Sequence, residues 1–471
     1  MNMRTITLVM FACLALALGN PGLAQGLPGN HWEGAISILG SELVINVDFT
    51  VAGDSLKATI DIPQQGAKAL ALKNVSLKAP RIHFELPAGP GLAVFDGEVH
   101  ADSMKGDFSQ AGMAGKFHLV QREVKKTVVH EAPVPYHQEE VTFHNGDVTL
   151  AGTLTLPPDK GSHPAVIMIT GSGAQNRDEE IFGFKPFRMI ADHLTRKGIA
   201  VLRYDDRGVG GSTGSMSTST TADFAKDVEA AIAFLRARND IDTKHIGLCG
   251  HSEGGIVAPM VAAKDRNVAF VILMAGTALP GGDIILYQLE HMAREAGASE
   301  TEIASSIATQ KRVYACIRSG EGWDELKNEL RKEARARYDE MSPEKRKAIP
   351  DIDQRIDASV NATIESARSP WFKYFIEYDP APALAKVTCP VLALFGELDT
   401  QVPVSLNKAP MERAAIQGGN KDFTVTVLAS ANHLFLKAKT GSPSEYMGLP
   451  KDFVAGFLDT LSDWTLARVK P

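Results

Sequence analysis

Short, continuous apolar segments that alternate with amphipathic helical ones constrain the fold of this chain more than any other feature of its sequence. The apolar segments cover residues 165–169, 199–202, 245–249, 268–274, 390–395 and 423–428. A strand that is apolar on both faces suits a parallel sheet covered by helices on both sides. The helical segments 184–197 and 222–239 lie between such strands. The pattern therefore predicts a doubly wound α/β sheet.

A hairpin precedes this series. The alternating segments 141–144 and 148–154 flank Asn145-Gly146, a dipeptide that is typical of a tight two-residue turn. Together with this hairpin the predicted sheet has eight strands, and those after the hairpin follow a β-α alternation. We therefore predict an eight-stranded, mostly parallel sheet within a domain that covers residues 141–471.

The segment before the hairpin has a different pattern. Residues 25–125 contain short runs in which apolar and polar residues alternate, and Gly97, Gly106 and Gly115 recur at the interval of a strand plus a turn. Such alternation predicts half-buried strands. We predict a separate N-terminal antiparallel β domain, a barrel-like meander of seven or eight strands, followed by a polar, proline-broken linker at residues 126–140.

A helical insertion separates the sixth and seventh predicted strands of the sheet. Residues 281–370 are richer in charge than the chain as a whole and carry apolar residues at helical spacing, such as Ile303 and Ile307. An insertion at this place reaches the carboxyl ends of the strands, where ligands bind in open α/β sheets. We predict that the insertion is a helical cap over the site.

The first residues have the features of a secretory signal peptide. Within residues 1–24, Arg4 precedes an apolar run at residues 6–18, and small residues follow up to Ala24. This run is shorter than the roughly 20 residues that a membrane-spanning helix needs. We expect residues 1–24 to be removed and the protein to be exported, either to the periplasm or outside the cell.

Charge and cysteine content narrow the classes of partner. The net charge is −7 at pH 7 and no long basic stretch occurs, which argues against nucleic acid or anionic lipid as a partner. No later segment is apolar enough to span a membrane.

Cys249, Cys316 and Cys389 form an odd, sparse set, so we expect buried thiols, with a Cys316–Cys389 disulfide as the alternative. The oligomeric state stays open.

One motif carries chemistry. The segment Gly250-His251-Ser252-Glu253-Gly254 follows a predicted strand and precedes a predicted helix, which is the context that a G-x-S-x-G nucleophile turn requires. The sharp turn exposes the serine hydroxyl, and its glycines let the strand and the helix approach each other. We predict that Ser252 is a nucleophile; the alternative is a glycine-rich turn that only starts a helix.

A serine nucleophile needs a base, and the base needs a carboxylate that orients it. Asp399 and His433 each follow a predicted strand, so they should meet Ser252 at the same edge of the sheet, in the chain order Ser, Asp, His. Glu397 is a weaker candidate that more readily orients a loop. His251 is weaker as well, because we expect its side chain to leave the turn on another side.

The tetrahedral intermediate of acyl transfer carries an oxyanion, which two backbone N–H groups should hold. One is that of Glu253, directly after the nucleophile, and the other lies in the loop after the third strand. In that loop we predict Ser172 as the donor, with Gly173 as the alternative.

These segments resemble α/β-hydrolases of the bacterial carboxylesterase and serine-aminopeptidase-like group. The resemblance covers about two thirds of the chain and implies the α/β-hydrolase fold. Many relatives have His-Gly before the oxyanion donor, whereas this chain has Thr170-Gly171. The segments that carry the resemblance are 170–173, 177–179, 203–212, 250–255, 396–403 and 432–435.

The predicted activity is hydrolysis of carboxylic esters of small or medium acyl chains through an acyl-enzyme, with no metal or cofactor. A peptidase, aminopeptidase or amidase that uses the same triad is one alternative, and a non-catalytic hydrolase-like binding protein is another. Trp371, Phe372 and Tyr374 either line an acyl pocket or anchor the cap. Glu253 either binds a substrate amine, as in an aminopeptidase, or holds a loop in place.

Overall fold

A computed structural model describes most of the chain in two compact units. The described residues are 30–38, 41–52, 55–62, 67–87, 92–110, 113–122, 133–343, 346 and 352–469. The segment 1–24, for which a signal peptide is predicted, lies outside them. One unit comprises the chain up to His130 together with Ala293–Ser369, and the other comprises Glu131–Met292 and Pro370–Pro471.

The second unit contains an eight-stranded sheet in the order β10-β11-β13-β12-β14-β15-β16-β17. The pairs β10–β11 and β11–β13 are antiparallel, and every pair from β13 to β17 is parallel. This order, with helices between the strands, is the α/β-hydrolase fold, so the predicted fold class is confirmed. The strands are β10 (His137–Asn145), β11 (Val148–Leu156), β12 (His163–Ile169), β13 (Ala200–Tyr204), β14 (Ile241–His251), β15 (Val271–Met274), β16 (Val391–Gly396) and β17 (Phe423–Leu428).

Helices of the second unit cover the sheet because its central strands are apolar on both faces. Every residue of β13, β15 and β16 is buried. In β12, Val166 and Met168 pack in one cluster with Phe187 of α1 and Phe457 of α11, while alternate residues point to the other face. The helices are α1 (Pro186–Arg196), α2 (Thr221–Arg236), α3 (Gly254–Ala262), α4 (Gly281–Glu295), α8 (Pro370–Glu377), α9 (Ala381–Leu384), α10 (Val404–Gly418) and α11 (Phe457–Val469).

The first unit contains a nine-stranded antiparallel sheet, one strand more than the upper end of the prediction. Its hydrogen-bonding order is β4-β3-β2-β1-β9-β8-β7-β6-β5. Aromatic side chains fill its interior: Phe84 stacks on Phe95 at 4.6 Å, and Phe117 meets both rings edge-on. The strands are β1 (His31–Ile38), β2 (Ser41–Ala52), β3 (Ser55–Ile62), β4 (Ala67–Ala71), β5 (Lys73–Lys78), β6 (Arg81–Pro87), β7 (Leu92–His100), β8 (Ser103–Gln110) and β9 (Met113–Gln121).

This sheet curls into a nearly closed barrel. Strands β4 and β5 lie at opposite ends of the hydrogen-bonding order, yet only Leu72 separates them in sequence. The two edges must therefore lie side by side, and the N–H of Leu72 donates to the carbonyl of Ala58 on β3 at 2.9 Å. Closure removes most of the exposed edge that an open sheet would present.

The helical insertion packs on this barrel within the same unit. Its helices after α4 are α5 (Glu300–Ser319), α6 (Trp323–Asp339) and α7 (Ile352–Ala367). On α7, Arg355 donates to the Ser109 hydroxyl of β8 and forms an ion pair with Asp96 of β7 at 3.5 Å. The predicted role of the insertion as a cap over the site stays a prediction.

The helices and the cysteine thiols bear on membrane insertion and on disulfide pairing. Within the described part of the chain, no helix combines the length and the hydropathy that crossing a bilayer requires. Cys249 and Cys316 are buried free thiols, and Cys389 is a half-buried free thiol. The alternative of a Cys316–Cys389 disulfide is therefore absent from this structure.

Candidate active site

Ser252 occupies a strained turn between β14 and α3. Its φ is +52°, a left-handed conformation that is rare for a residue with a side chain, and its N–H donates to the carbonyl of Met274 at 2.9 Å. The glycines at either side have no room for a side chain. A Cβ on Gly250 would lie 2.0 Å from the carbonyl oxygen of Gly254, and one on Gly254 would lie 2.3 Å from that of Ile169. The turn leaves Ser252 half-buried rather than in the core.

Asp399 and His433 are hydrogen-bonded at the carboxyl end of the sheet. His433 Nδ1 lies 2.8 Å from Asp399 Oδ2, and both side chains are buried. Because the carboxylate can only accept, Nδ1 carries the proton, and Nε2 of a neutral imidazole is left with its lone pair. This is the tautomer that a general base requires.

The surroundings of Asp399 keep it ionised. Its other oxygen, Oδ1, accepts hydrogen bonds from the N–H groups of Gln401 and Val402, each at 2.8 Å. Burial alone would raise the pKa of Asp399, but the charge of His433 and these hydrogen bonds lower the pKa below its ordinary value. The carboxylate can therefore orient and stabilise an imidazolium.

The structure brings the segments of Ser252 and His433 together through His251. His251 Nε2 donates to the backbone carbonyl of His433 at 3.0 Å, and the two imidazole rings lie 4.8 Å apart. The turn directs the His251 side chain toward Glu179 and toward the backbone of the His433 loop (residues 429–435). No hydrogen bond between the described side chains of Ser252 and His433 is formed, and such contacts commonly tighten only when substrate binds.

The loop after β12, residues 170–175, is called here the oxyanion loop. The N–H of Gly171 donates to Glu179 Oε1 at 2.6 Å, so it is not available to a substrate. The N–H groups of Ser172 and Glu253, by contrast, meet no acceptor among the residues that the structure describes. These are the two donors that the sequence predicts for an oxyanion hole.

Asp206 fixes the two ends of the oxyanion loop. Its carboxylate accepts from the Thr170 hydroxyl at 2.7 Å and from the Gln175 N–H at 2.9 Å. Burial raises the pKa of Asp206 well above its ordinary value, although these hydrogen bonds act in the opposite direction. Sequence analysis attributed no such role to Asp206.

Glu253 has a buried side chain whose carboxylate is already occupied. It accepts from the Thr221 hydroxyl at 2.7 Å and from the Trp371 indole N–H at 2.9 and 3.1 Å, and the Ser172 hydroxyl also donates to it. Burial raises the pKa of Glu253, and the three hydrogen bonds only partly oppose this. The arrangement matches the loop-holding alternative, because the carboxylate joins the oxyanion loop to α2 and α8.

The three aromatic residues for which substrate contact is predicted lie on α8 in different environments. Trp371 is half-buried, donates to Glu253 and stacks on Phe375 at 5.2 Å. Phe372 is only 1% exposed. Tyr374 is half-buried and stacks on Tyr378 at 5.5 Å. Contact of these three with a substrate stays a prediction.

Glu179 is a buried site residue that sequence analysis quoted without a role. It is 1% exposed, its Oε1 lies 2.9 Å from His251 Nδ1, and its φ is +49°. Nothing in the residues around Glu179 indicates its partner, because His251 is 72 positions away along the chain.

Among the described residues, no group of three or more His, Cys, Asp or Glu side chains is arranged to hold a metal ion.

Comparison with known proteins gives one family match whose bounds include Ser252. Residues 185–364 match the family described as Hydrolase_4: Serine aminopeptidase, S33. The match covers less than half of the chain and ends before Asp399 and His433.

Individual proteins extend the similarity. The chain is 26% identical over 327 residues to Esterase EstD of Thermotoga maritima, a match that covers 69% of this chain and 68% of that protein. Among solved structures, an esterase of Pyrococcus furiosus has 16% identity and a TM-score of 0.44, with 71% of this chain and 91% of the other covered. Est1E of Butyrivibrio proteoclasticus with ferulic acid bound has 16% identity and a TM-score of 0.40, with 70% and 99% covered.

The sequence matches, together with the strand order, support a hydrolase of the α/β-hydrolase fold. The residues that would carry out hydrolysis, the kind of bond cleaved and the substrate are matters of proposal.

Proposed function

We propose that this protein is a serine esterase that hydrolyses carboxylic esters of small or medium acyl chains. The observation that carries the proposal is the buried hydrogen bond of 2.8 Å between Asp399 and His433, at the sheet edge where the strained turn presents Ser252. The similarity to Esterase EstD supports the same reaction class. In this proposal Ser252 is the nucleophile, His433 the base and Asp399 the orienting carboxylate.

The proposed reaction has two acyl-transfer steps. Ser252 Oγ attacks the ester carbonyl while its proton moves to His433 Nε2, and the resulting oxyanion accepts hydrogen bonds from the N–H groups of Ser172 and Glu253. Collapse breaks the bond to the alcohol, which takes the proton from His433. Water, activated in turn by His433, then attacks the acyl group, and the carboxylic acid leaves Ser252 free. None of these steps needs a metal or a cofactor.

A serine peptidase of the aminopeptidase type is the second candidate. It is favoured by the description of the matching family, Serine aminopeptidase, S33. Recognition of a substrate amine by Glu253 would need a free carboxylate oxygen, whereas three donors already occupy this group. We therefore favour the esterase over a peptidase that uses Glu253.

Matched substrates test the choice. Initial rates are measured with short- and medium-chain nitrophenyl esters and with aminoacyl nitroanilides. We expect turnover of the esters, with little or none of the anilides, and loss of ester turnover in Ser252→Ala. Turnover of anilides at rates similar to those of esters would support the peptidase. Ester turnover that survives in Ser252→Ala would place the chemistry elsewhere, and a wild-type protein inactive on both substrates would favour a non-catalytic binding protein.

We also propose that the protein is exported, on the basis of residues 1–24 alone. Expression of the full chain followed by N-terminal sequencing tests this proposal. A mature N-terminus at Gln25 in the periplasmic or extracellular fraction supports it, and an intact N-terminus in the cytoplasmic fraction contradicts it.

A further inference from the structure

Beneath the nucleophile turn lies an ion pair that the proposed reaction does not use. His251 and Glu179 are both buried, with side chains 5% and 2% exposed, and His251 Nδ1 lies 2.9 Å from Glu179 Oε1. The other ring nitrogen of His251 donates to the carbonyl of His433 at 3.0 Å, and the same Glu179 oxygen accepts from the N–H of Gly171 at 2.6 Å. One pair of side chains therefore connects the oxyanion loop, the end of β14 and the His433 loop.

The two partners of His251 fix its protonation state. A carboxylate and a backbone carbonyl can only accept hydrogen bonds, so both ring nitrogens of His251 must carry a proton to make both contacts. A neutral imidazole has one N–H and could keep only one of them. With Glu179 ionised, the double connection therefore requires an imidazolium, and Glu179 is the carboxylate that compensates its charge.

We propose that Glu179 and His251 are positioning residues of the active site, in which a doubly protonated His251 connects the oxyanion loop to the His433 loop. This inference rests on the proposed function. In it, Glu179 and His251 set the distance between the oxyanion donors and the base, although neither side chain touches the substrate or the reacting atoms. Misplacement of reacting groups by about 1 Å can lower the rate of an enzyme about 100-fold.

The cost of this arrangement argues for a role beyond packing. Glu179 has a φ of +49°, a conformation that a side chain disfavours, and its second oxygen, Oε2, is buried and accepts no hydrogen bond from the described residues. A buried carboxylate oxygen without a donor is unfavourable. Strain and unsatisfied groups of this kind concentrate at functional sites.

The charged groups around His251 favour the imidazolium. Burial lowers the pKa of His251, but the charge of Glu179, the hydrogen bonds to Glu179 and to the His433 carbonyl, and the charge of Asp399 outweigh it, so the net direction is upward. The titratable groups that face His251 are Glu179 from the loop before α1, Asp399 from the loop after β16 and His433 from the loop after β17. When pH rises through the pKa of His251, one of its two connections must break, and kcat should fall.

Single substitutions can remove each connection separately. Glu179→Gln keeps an oxygen acceptor but removes the charge that holds the second proton on His251. His251→Asn places an N–H near the position of Nδ1 and loses the contact with His433, whereas His251→Gln places one near Nε2 and loses the contact with Glu179. The matched control is Asp242→Asn, which alters the partly exposed pair of Asp242 and His245, 2.7 Å apart in the same unit.

The test measures kcat and KM of each variant on a short-chain nitrophenyl ester from pH 6 to 10, together with the rate at which a fluorophosphonate labels Ser252. For Glu179→Gln we expect kcat to fall about 10- to 100-fold, KM to change less than about threefold, and the alkaline fall in kcat to move to lower pH. Both His251 variants should lose kcat and labelling rate in the same way, while Asp242→Asn should behave as wild type.

Two outcomes separate this inference from the proposed function. If Ser252→Ala abolishes turnover but Glu179→Gln and both His251 variants keep the kcat and the pH profile of wild type, the positioning role is wrong and the esterase proposal stands. A parallel loss of kcat, labelling and melting temperature with an unmoved pH profile would also overturn the inference, because a role in stability alone would explain it. Turnover that persists in Ser252→Ala would overturn the proposed function itself.

Discussion

Three buried carboxylates lie in the loops around Ser252, and each is held in a different way. Asp399 faces an imidazole and two backbone N–H groups, so its pKa is lowered. Glu253 meets only neutral donors, so burial prevails and its pKa is raised. Glu179 has an imidazole beside it and a buried oxygen without a donor. The pKa values of Asp399 and Glu253 thus shift in opposite directions, because Asp399 faces an imidazole and Glu253 meets only neutral donors.

The orienting role of Asp399 gives a prediction at this scale. In Asp399→Asn the amide cannot stabilise an imidazolium and favours the wrong tautomer of His433, so we expect kcat to fall about 1000-fold or more with KM little changed. Steady-state kinetics on a nitrophenyl ester measure this. Glu397→Gln is the control, since Glu397 lies two residues away and accepts from the Ser430 N–H at 2.8 Å; its kcat should stay within a fewfold of wild type. Equal losses in the two variants would contradict the assignment of Asp399.

At the scale of elements, the close approach of α3 to β12 determines the geometry of the turn that carries Ser252. A side chain on Gly254, the first residue of α3, would clash with the carbonyl of Ile169 at the end of β12. The helix therefore starts against the backbone of the neighbouring strand rather than against a side chain. Any side chain at this position pushes the helix away from the sheet.

Gly254→Ala tests this contact. Its Cβ would lie 2.3 Å from the Ile169 carbonyl oxygen, so we expect the free energy of unfolding to fall by about 1–3 kcal/mol. Urea denaturation followed by tryptophan fluorescence measures the change. Gly448→Ala is a matched control because a Cβ there has no atom within 4 Å and Gly448 is exposed. An unchanged stability of Gly254→Ala would mean that the helix shifts at no cost.

In the β barrel, His83 joins strands β6 and β7 through a charged hydrogen bond. The hydrogen bonds from His83 to Asp96, at 2.6 Å, and to Glu85, together with their charges, raise the pKa of His83 to about 9. A raised pKa in the folded state means that the imidazolium stabilises the fold. This stabilisation is fully present below the ordinary pKa of histidine, about 6.5, and is lost as pH rises through about 9.

We therefore expect the melting temperature of the wild-type barrel to decrease between pH 6.5 and pH 9.5 by more than that of His83→Gln. Differential scanning calorimetry at several pH values measures both. The exposed His100, which contacts Glu98 at 3.1 Å, serves as the control in His100→Gln. Parallel pH profiles of wild type and His83→Gln would show that His83 does not contribute. Because Asp96 is about half exposed, solvent weakens the effect, and a small difference is expected.

At the scale of the whole molecule, the insertion and the N-terminal barrel form one unit although the first six strands of the hydrolase sheet lie between them in sequence. Arg355 of α7 contacts the barrel through Asp96 and Ser109. The barrel thus does not stand apart from the helical insertion.

Arg355→Ala should loosen α7 without affecting the sheet of the second unit. We expect faster amide hydrogen exchange over residues 352–367 and unchanged exchange in β12 to β16, because local stability follows local contacts. Hydrogen exchange read by mass spectrometry resolves these peptides. Lys264→Ala, which removes an exposed ion pair with Glu229 in the second unit, is the control. Uniformly faster exchange in both units would contradict the expectation.

Much of the fold could be predicted from the sequence. Strands that are apolar on both faces specify a covered parallel sheet, and Asn145-Gly146 specifies a hairpin, because each effect depends on neighbouring residues alone. The strand-turn-helix context of Ser252 follows from the same logic, since a positive φ and two glycines define the turn. The placement of Asp399 beside His433 could be predicted because both follow parallel strands, whose ends meet at one edge.

Side-chain partners that are distant in sequence could be identified only from the tertiary structure. His251 finds Glu179 and the His433 carbonyl across 72 and 182 positions of sequence, and no local pattern encodes such pairs. The sequence also does not predict that the edges of the barrel meet at Leu72. Nor does it predict that the Glu253 carboxylate accepts hydrogen bonds from Thr221 and Trp371. Alternation and spacing assign residues to elements, but burial and the satisfaction of polar groups depend on which elements pack together.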